Sequence, residues 1–156
     1  MSDVIIIGSG PAGVSAAIYA ARAGLATMVI SENGGALAKA DKIENYYGFT
    51  EPVSGEKLLA DGIAQAKRLG AELVSGQVVN IGFDYEASEF TVKTSTDEYK
   101  AVSAVLATGS SRTAPRINGF HNFEGKGISY CAVCDAFFYR GRDVAVLGCC
   151  EYALHE

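Results

Sequence analysis

The chain has 156 residues and a formal net charge of −5 at pH 7, enough for one ordinary domain with its own core. A mildly acidic chain without a basic run is not expected to bind nucleic acid. No apolar stretch reaches the length of a membrane span and no charged leader precedes the first apolar run, so we expect a cytoplasmic protein without a membrane anchor.

The four cysteines all lie near the end of the chain: Cys131, Cys134, Cys149 and Cys150. Small secreted folds held together by disulfides usually have cysteines spread along the whole sequence. This distribution favours a working redox pair or a metal site.

A short β-branched run at 4–7 leads directly into three glycines with GxGxxG spacing, and it predicts a strand, a tight turn and a buried helix over 14–23. Gly8 would allow the turn, Gly10 would let a pyrophosphate lie against bare backbone, and Gly13 would let the helix pack closely on the strand. Gly24 ends the helix and a second strand follows within 25–31, which completes a βαβ unit. The alternative is a glycine-rich turn in an α/β protein of another kind.

The second strand should end beside the ribose of a bound dinucleotide, where an acidic residue is common. Counting from Gly13 puts Ser31 at that place, so Glu32 would reach the ribose from one residue further on. The alternative for Glu32 is a solvated loop carboxylate.

The stretch 33–52 predicts a long loop, which is uncommon unless the loop binds something. Gly34 and Gly35 would allow backbone N–H groups to approach a ligand, and Asn45 offers a donor and an acceptor to a planar heterocycle. The aromatic residues of the loop either take part in binding or pack beneath it; they are Tyr46, Tyr47 and Phe49.

The middle of the chain predicts a helix, a β-meander and a further strand. Ser54 is expected to cap a helix that runs through Leu69. Strands are expected at 72–74, 77–81, 89–94 and 98–102, with a hairpin turn at 95–97. The run 104–107 predicts a buried parallel strand that ends at Thr108 and Gly109, the edge at which open α/β sheets bind ligands.

A connector after Ser110 leads to the sequence YCAVCD, in which Cys131 and Cys134 could close a small disulfide ring at the start of a helix. The helix dipole would favour a thiolate there, and Asp135 could exchange a proton with the leaving sulfur. Zinc is the competing interpretation, but Cys149 and Cys150 are adjacent and the two histidines, His121 and His155, fit no ligand spacing. We therefore predict no metal; inert buried cysteines are the remaining alternative.

The last part of the chain, 143–153, predicts a β run that enters a second glycine turn and a helix. It has the form of the start of a second βα unit.

Four motifs together resemble the low-molecular-weight thioredoxin reductases, in order and spacing, along the whole chain. They are GSGPAG at 8–13, ENYYGF at 44–49, ATGS at 107–110 and SYCAVCDAFFYRGRDVAVLG at 129–148. The resemblance implies an α/β, Rossmann-like FAD-binding domain of the three-layer ββα type with a β-meander. Its first segment would be 1–112, and 113–156 would hold the connector, the redox CxxC and the beginning of a second Rossmann-like, pyridine-nucleotide domain. It also implies a homodimer in the longer parent.

The resemblance further implies roles for individual residues. Cys134 would lie next to the flavin, Cys131 would attack the disulfide of a thioredoxin-like partner, and Asp135 would be the acid/base. FAD would be held by Gly8, Gly10, Pro11, Ala12 and Gly13 at the pyrophosphate, Ser31 or Glu32 at the ribose, Gly34, Gly35, Ala36, Leu37 and Asn45 around the flavin, Val78 at the adenine, and Thr108 and Gly109 beside the cofactor.

Three positions depart from the family pattern. Ala36 stands where glutamine is common, and Tyr47 where proline is common. Cys150 replaces the second glycine of the second fingerprint, where a side chain would occupy the space of a pyrophosphate. The electron donor is therefore either NADPH or, as in a minority branch that lacks nucleotide fingerprints, reduced ferredoxin. Two further alternatives are an FAD- or partner-binding fragment without turnover and a reductase of a small-molecule dithiol.

Overall fold

The computed structural model describes residues 1–110, 114–148 and 151–155. The chain divides into two units. The first is Met1–Lys42 with Val53–Ser111, and the second is Ile43–Pro52 with Arg112–Glu156. The first unit contains the β-sheet and the second contains the CxxC sequence.

The first unit begins with the predicted βαβ element. Strand β1 (Ser2–Ile7) is followed by helix α1 (Pro11–Arg22) and strand β2 (Thr27–Ser31). β1 and β2 are parallel, as expected of strands joined by a helix. Helix α1 buries only one face, because Tyr19 is 73% exposed while Val14 and Ala17 lie in the core. The expectation of a buried helix is therefore wrong for its outer face.

The sheet has six strands in the order β3-β2-β1-β6-β5-β4. The four later strands are β3 (Glu72–Ser75), β4 (Val78–Asp84), β5 (Glu89–Thr94) and β6 (Glu98–Leu106). β1, β2, β3 and the second half of β6 form the parallel part of the sheet, whereas β4, β5 and the first half of β6 form an antiparallel meander. The predicted meander is wrong for its first strand, because β3 pairs in parallel with β2. The α/β, Rossmann-like fold class is thus confirmed.

β6 is one continuous strand, although the sequence analysis expected two, at 98–102 and 104–107. The strands join at Ala101, which pairs with Phe90 of β5 on one side and with Ser2 of β1 on the other. β5 pairs with β6 only as far as Ala101, so among the described strands the second half of β6 pairs with β1 alone. The expectation of a buried strand at 104–107 is wrong there, since Leu106 is 68% exposed.

Ser54 caps the start of helix α2 (Gly55–Arg68), as predicted. The Ser54 hydroxyl accepts a hydrogen bond from the Lys57 N–H at 3.2 Å, which satisfies a backbone donor of the first turn. Gly70 follows with a φ of 103°, a conformation that favours glycine and ends the helix. Leu59 and Ala66 pack with α1 and β1 in the main core.

The two faces of the parallel sheet are covered differently. Val4, Ile6 and Val29 face α1 and α2. Ile5, Ile7 and Ile30 face the opposite way and pack with Val92 of the meander. A Cβ built on Gly76, just after β3, would lie 3.3 Å from Thr94 Cγ2 of β5, although β3 and β5 are far apart in the strand order. The meander therefore lies across this face, giving three layers.

The second unit has short elements. They are two 3₁₀ turns (Phe120–Phe123 and Ala136–Tyr139), helix α3 (Ala132–Asp135) and helix α4 (Glu151–His155). The strand predicted at 143–147 is absent: residues 143–148 have no regular structure, and Leu147 is exposed. A strand needs a neighbour for its backbone hydrogen bonds, and none pairs with this run among the described residues. Within those residues, no helix is long and apolar enough to cross a bilayer.

Candidate nucleotide site and redox motif

Two of the three glycines after β1 are required by packing. Gly8 has a φ of 110°, and a Cβ built on it would lie 2.2 Å from the Ala107 carbonyl oxygen. A Cβ on Gly13 would lie 1.8 Å from the Gly8 carbonyl oxygen. No side chain fits at either position, so these two glycines let α1 and the end of β6 approach the turn.

Gly10 has a different environment. Its φ of −68° suits any residue, and a Cβ built on it would meet nothing within 4 Å. α1 begins immediately afterwards with Pro11, and no side chain caps its first turn. The positive end of the helix dipole therefore faces open space at a position without a side chain, which fits a bound pyrophosphate.

Ser31, at the end of β2, is tied to this turn by hydroxyl hydrogen bonds. Ser31 Oγ donates to Ser9 Oγ at 2.8 Å, and Ser9 Oγ donates to the Asn33 carbonyl at 3.3 Å. Ser9 is buried, whereas Glu32 is exposed. The sequence analysis missed Ser9; its signal was a hydroxyl residue between Gly8 and Gly10 in the glycine turn.

The glycine pair after β2 precedes a 3₁₀ turn at Ala36–Lys39. A Cβ on Gly34 would lie 2.5 Å from Leu59 Cδ2, while Gly35 has a φ of 71° and open space around it. The Gly35 N–H donates to Asn33 Oδ1 at 3.0 Å. Gly34 therefore lets the loop pack against Leu59, whereas Gly35 has open space beside it in which a ligand could approach the backbone. Of the next two residues, Ala36 is exposed and Leu37 packs against the main core.

Thr108 and Gly109 follow β6 at the same edge of the sheet as the Gly8 turn. The Ala107 N–H donates to the Ile7 carbonyl at 2.9 Å, so the ends of β1 and β6 are neighbours. Thr108 and Gly109 are exposed. The structure thus brings together the ends of three parallel strands, the edge at which such sheets bind ligands.

Two further predicted cofactor residues are Val78 and Asn45. Val78 starts β4 and packs against the cluster around Ile30. Asn45 is exposed and belongs to the second unit. The aromatic residues near it do not pack beneath the loop: Tyr47 is 99% exposed, and Tyr46 contacts Phe49 at a ring-centroid distance of 6.1 Å.

In the second unit, Cys131 is half-buried and disulfide-bonded. It immediately precedes α3, and its carbonyl accepts the Asp135 N–H at 3.1 Å. α3 has only four residues, so the expected helix-dipole effect on a thiolate has little basis, because that effect needs aligned peptide units over a longer helix. The side chain of Cys134, and all of Cys149 and Cys150, lie outside the described part of the chain.

The hydroxyl of Ser129 connects the two ends of this motif. Ser129 Oγ donates to Asp135 Oδ2 at 2.5 Å and accepts the Cys131 N–H at 3.1 Å. The sequence analysis missed Ser129; the signal was a hydroxyl residue two positions before the first cysteine, where it can bond to nearby backbone.

Tyr130 belongs to a second hydrogen-bonded group beside Cys131. Its hydroxyl donates to Glu124 Oε1 at 2.6 Å, and Glu124 Oε2 lies 3.2 Å from His121 Nδ1. The bond to Glu124 raises the pKa of Tyr130 above its ordinary value of 10.0. The Tyr130 ring also contacts the buried Phe120 at 6.3 Å. No group of three His, Cys, Asp or Glu residues forms a metal cluster in the described chain.

A family model described as pyridine nucleotide-disulphide oxidoreductase matches residues 2–154. The thioredoxin reductase of Aquifex aeolicus is 43% identical over 157 positions, which cover 99% of this chain and 48% of that protein. The crystal structure of thioredoxin reductase from Streptococcus pyogenes is similar with a TM-score of 0.84 at 35% identity, over 90% of this chain and 45% of that one.

The atypical thioredoxin reductase TRi from Desulfovibrio vulgaris is 42% identical, with a TM-score of 0.67 over 90% of this chain and 47% of that one. The chain thus spans about half the length of the relatives it matches, and its sequence-based resemblance to thioredoxin reductases is confirmed. The chain belongs to the pyridine nucleotide-disulphide oxidoreductase family.

Proposed function

We propose that the protein carrying this chain is a flavoprotein disulfide reductase that transfers electrons from FAD to a Cys131–Cys134 disulfide and on to a thioredoxin-like protein. The observation that carries the proposal is the pairing, in one chain, of an open glycine turn at Gly10 with a CxxC whose first cysteine is disulfide-bonded. The match to thioredoxin reductases along 99% of the chain supports it.

FAD, when bound, would accept and donate two electrons. We propose that the turn from Gly8 to Gly13 binds its pyrophosphate through backbone N–H groups, because the space beside Gly10 admits an anion. Glu32 is exposed at the end of β2 and is the better placed of the two ribose candidates, since the Ser31 hydroxyl already donates to Ser9. On this proposal 1–112 forms the first segment of the FAD domain, and 113–156 begins the domain that carries the thiols.

The two cysteines exchange their thiol protons and electrons with the partner's disulfide. Two electrons and two protons convert the enzyme disulfide to two thiols. The Cys131 thiolate attacks a sulfur of the partner's disulfide, and the other partner sulfur leaves and takes a proton. Cys134 then attacks the Cys131 sulfur, which restores the enzyme disulfide and releases the partner as a dithiol. Asp135 is the group that exchanges protons with these sulfurs.

The electron donor is NADPH or reduced ferredoxin. Cys150 favours ferredoxin, because a side chain at that position hinders a pyrophosphate. A ferredoxin near −400 mV and a thioredoxin near −270 mV differ by about 130 mV, roughly 6 kcal/mol for two electrons, so this route is downhill. Anaerobic addition of each donor to the FAD-loaded protein separates them. We expect loss of flavin absorbance with reduced ferredoxin and little change with NADPH; rapid loss with micromolar NADPH would contradict the ferredoxin assignment.

The proposal is tested by Cys131→Ser in the FAD-loaded protein, with chemically reduced flavin as the electron source. We expect the variant to lose thioredoxin reduction and to keep its FAD, because Cys131 belongs to the second unit and the glycine turn to the first. Cys149→Ser is the matched control and should retain activity. Loss of FAD from Cys131→Ser would point to a structural role for the cysteine, and full activity would overturn the proposed reaction.

A second candidate is an FAD- or partner-binding fragment without turnover. It is favoured by the exposure of Glu32, Thr108 and Gly109, which leaves the strand ends beside the glycine turn open in the described part of the chain. Its test is whether the purified protein turns over a disulfide substrate at all once FAD is added. If the protein reduced a small-molecule disulfide but not thioredoxin, the proposed substrate would instead be the disulfide form of a small-molecule dithiol. We further propose that the protein is cytoplasmic and forms a homodimer. Light scattering of the purified protein tests the dimer.

A further inference from the structure

The Asp135 carboxyl is held by one side chain. Its Oδ2 accepts the Ser129 hydroxyl at 2.5 Å, a distance typical of a hydroxyl donating to a carboxylate. Among the described residues no other side chain forms a hydrogen bond with it. Asp135 is half-buried, and its own N–H donates to the Cys131 carbonyl. The bond to the Cys131 carbonyl therefore positions the backbone of Asp135, and the Ser129 hydroxyl positions its carboxyl group.

Ser129 is itself fixed relative to the cysteine. Its Oγ accepts the Cys131 N–H at 3.1 Å. The hydroxyl proton has two acceptors in reach, the Asp135 carboxylate at 2.5 Å and the Cys131 carbonyl at 3.3 Å. The shorter, charge-assisted bond to the carboxylate is the stronger one. A single oxygen thus connects the backbone of the first cysteine to the carboxyl that follows the second.

We propose that Ser129 is a positioning residue for proton transfer. By holding Asp135 Oδ2, it leaves Oδ1 to exchange a proton with the sulfurs of the redox pair. This inference rests on the proposed function and deepens it. The Cys131 thiol ionises in a fast equilibrium before its attack, and its proton reaches the first partner sulfur that leaves by way of the Asp135 carboxyl. When Cys134 attacks the Cys131 sulfur, the Cys134 proton passes in the same way to the second partner sulfur, so the net transfer is two hydrogens from the enzyme dithiol to the partner.

A purely structural role for Ser129 makes a different prediction. If the hydroxyl only closes the turn before α3, its removal slows every thiol–disulfide exchange of the motif alike. If it places a proton donor, its removal slows exchange with a disulfide whose leaving sulfur needs a proton, and has little effect where the leaving thiolate is stable without one. Two small disulfides provide this contrast: 2-hydroxyethyl disulfide releases a basic alkyl thiolate, and dithiobis(nitrobenzoate) releases a weakly basic aryl thiolate.

The experiment measures single-turnover reduction of both disulfides at neutral pH by the FAD-loaded protein, reduced beforehand and freed of reductant. We expect Ser129→Ala to lower the rate with 2-hydroxyethyl disulfide about tenfold, part of the 10²–10⁴-fold that a positioned acid typically contributes. The rate with dithiobis(nitrobenzoate) should change by less than about twofold. Ser129→Thr keeps a hydroxyl and should restore most of the lost rate. Ser103→Ala removes another exposed serine hydroxyl, one that donates to the Asp3 carbonyl, and should behave as wild type.

A double variant completes the test. Since Ser129 acts through Asp135, adding Ser129→Ala to Asp135→Asn should cause no further loss with the alkyl disulfide. Equal slowing of both disulfides by Ser129→Ala, a further loss in the double variant, or an unchanged rate with the alkyl disulfide would each overturn the inference. Thioredoxin reduction by the wild-type protein is measured separately, so failure of the proposed function is seen there and does not affect the contrast between the two small disulfides.

Discussion

Gly10 and Gly13 stand three residues apart in one turn, yet they lack side chains for opposite reasons. A Cβ on Gly13 would lie 1.8 Å from the Gly8 carbonyl oxygen, whereas a Cβ on Gly10 would meet nothing. Gly13 is needed by the fold itself. Gly10 meets no such constraint among the described residues, and the proposed pyrophosphate would account for it.

This difference predicts opposite results for two alanine substitutions. Gly13→Ala should lower the free energy of unfolding by about 3 kcal/mol or more, since backbone atoms cannot yield to the new methyl group. Gly10→Ala should change it by less than about 0.5 kcal/mol but weaken FAD binding. Thermal unfolding and FAD titration measure the two quantities. A Gly10→Ala protein that binds FAD as wild type does would remove the main structural argument for the nucleotide site.

Tyr130, the residue before Cys131, has a pKa that one neighbouring carboxylate changes. Its pKa lies above the ordinary value of 10.0, first because its hydroxyl donates to Glu124. The neutral phenol is therefore favoured in the folded protein. The stabilisation that this bond gives is complete below pH 10.0 and is lost as the pH rises through the raised pKa.

Glu124→Ala should consequently lower the pKa of Tyr130. Alkaline titration by tyrosinate absorbance, taken as the difference between each protein and its Tyr130→Phe counterpart, isolates this residue from the other tyrosines. His121→Ala, which keeps the Tyr130–Glu124 bond, serves as the control. An unchanged titration of Tyr130 in Glu124→Ala would show that the bond is not formed in solution.

At the scale of elements, the β4–β5 hairpin depends on a carboxylate at its turn. Asp84 Oδ1 accepts the N–H groups of Glu86 at 2.9 Å and Ala87 at 3.0 Å, and Ser88 follows with a φ of 54°. The bonds to Ala87 and Glu86 hold the pKa of Asp84 below its ordinary value of 3.8. The ionised carboxylate thus stabilises the turn.

Asp84→Ala should therefore destabilise the hairpin at neutral pH. The difference from wild type should shrink as the pH falls through the lowered pKa of Asp84, because the wild-type carboxyl then becomes protonated as well. Amide hydrogen exchange at residues 86 and 87 measures the turn locally, and Glu86→Ala is the control on the same turn. A difference that stays constant to low pH would show that the charge of Asp84 is not responsible.

At the scale of the whole molecule, the chain supplies one part of the proposed cofactor site and spans about half of each relative. The three strand ends at Gly8, Ser31 and Thr108 offer one edge of a sheet. Most bound cofactors are enclosed on several sides, so further contacts have to come from beyond these elements.

A protein limited to residues 1–156 should therefore be purified without colour, while a protein as long as the relatives should retain FAD. Both proteins are incubated with FAD and then passed through a gel-filtration column without FAD. The flavin absorbance of the eluted protein measures retention. The fold of the shorter protein is checked by circular dichroism, so that loss of FAD is not confused with unfolding. Stoichiometric FAD in the shorter protein would show that this chain holds the cofactor unaided.

Sequence patterns predicted the local elements whose signals lie within a few residues. The β-branched run before Gly8, the Ser54 cap of α2 and the polar turn at 95–97 all act through neighbours in the chain, and each predicted element formed. The motif from 129 to 148 likewise indicated the family without any knowledge of contacts.

Features that depend on distant partners could not be predicted from these local patterns. β6 is one strand because Ala101 pairs with β5 and β1 together, and the run 143–147 forms no strand because no described strand lies beside it. The hydrogen bonds of Ser9 and Ser129 also depend on folding, since a hydroxyl's partners are the residues that the folded chain brings within reach. Periodicity predicts which segments can become strands, and pairing decides which of them do.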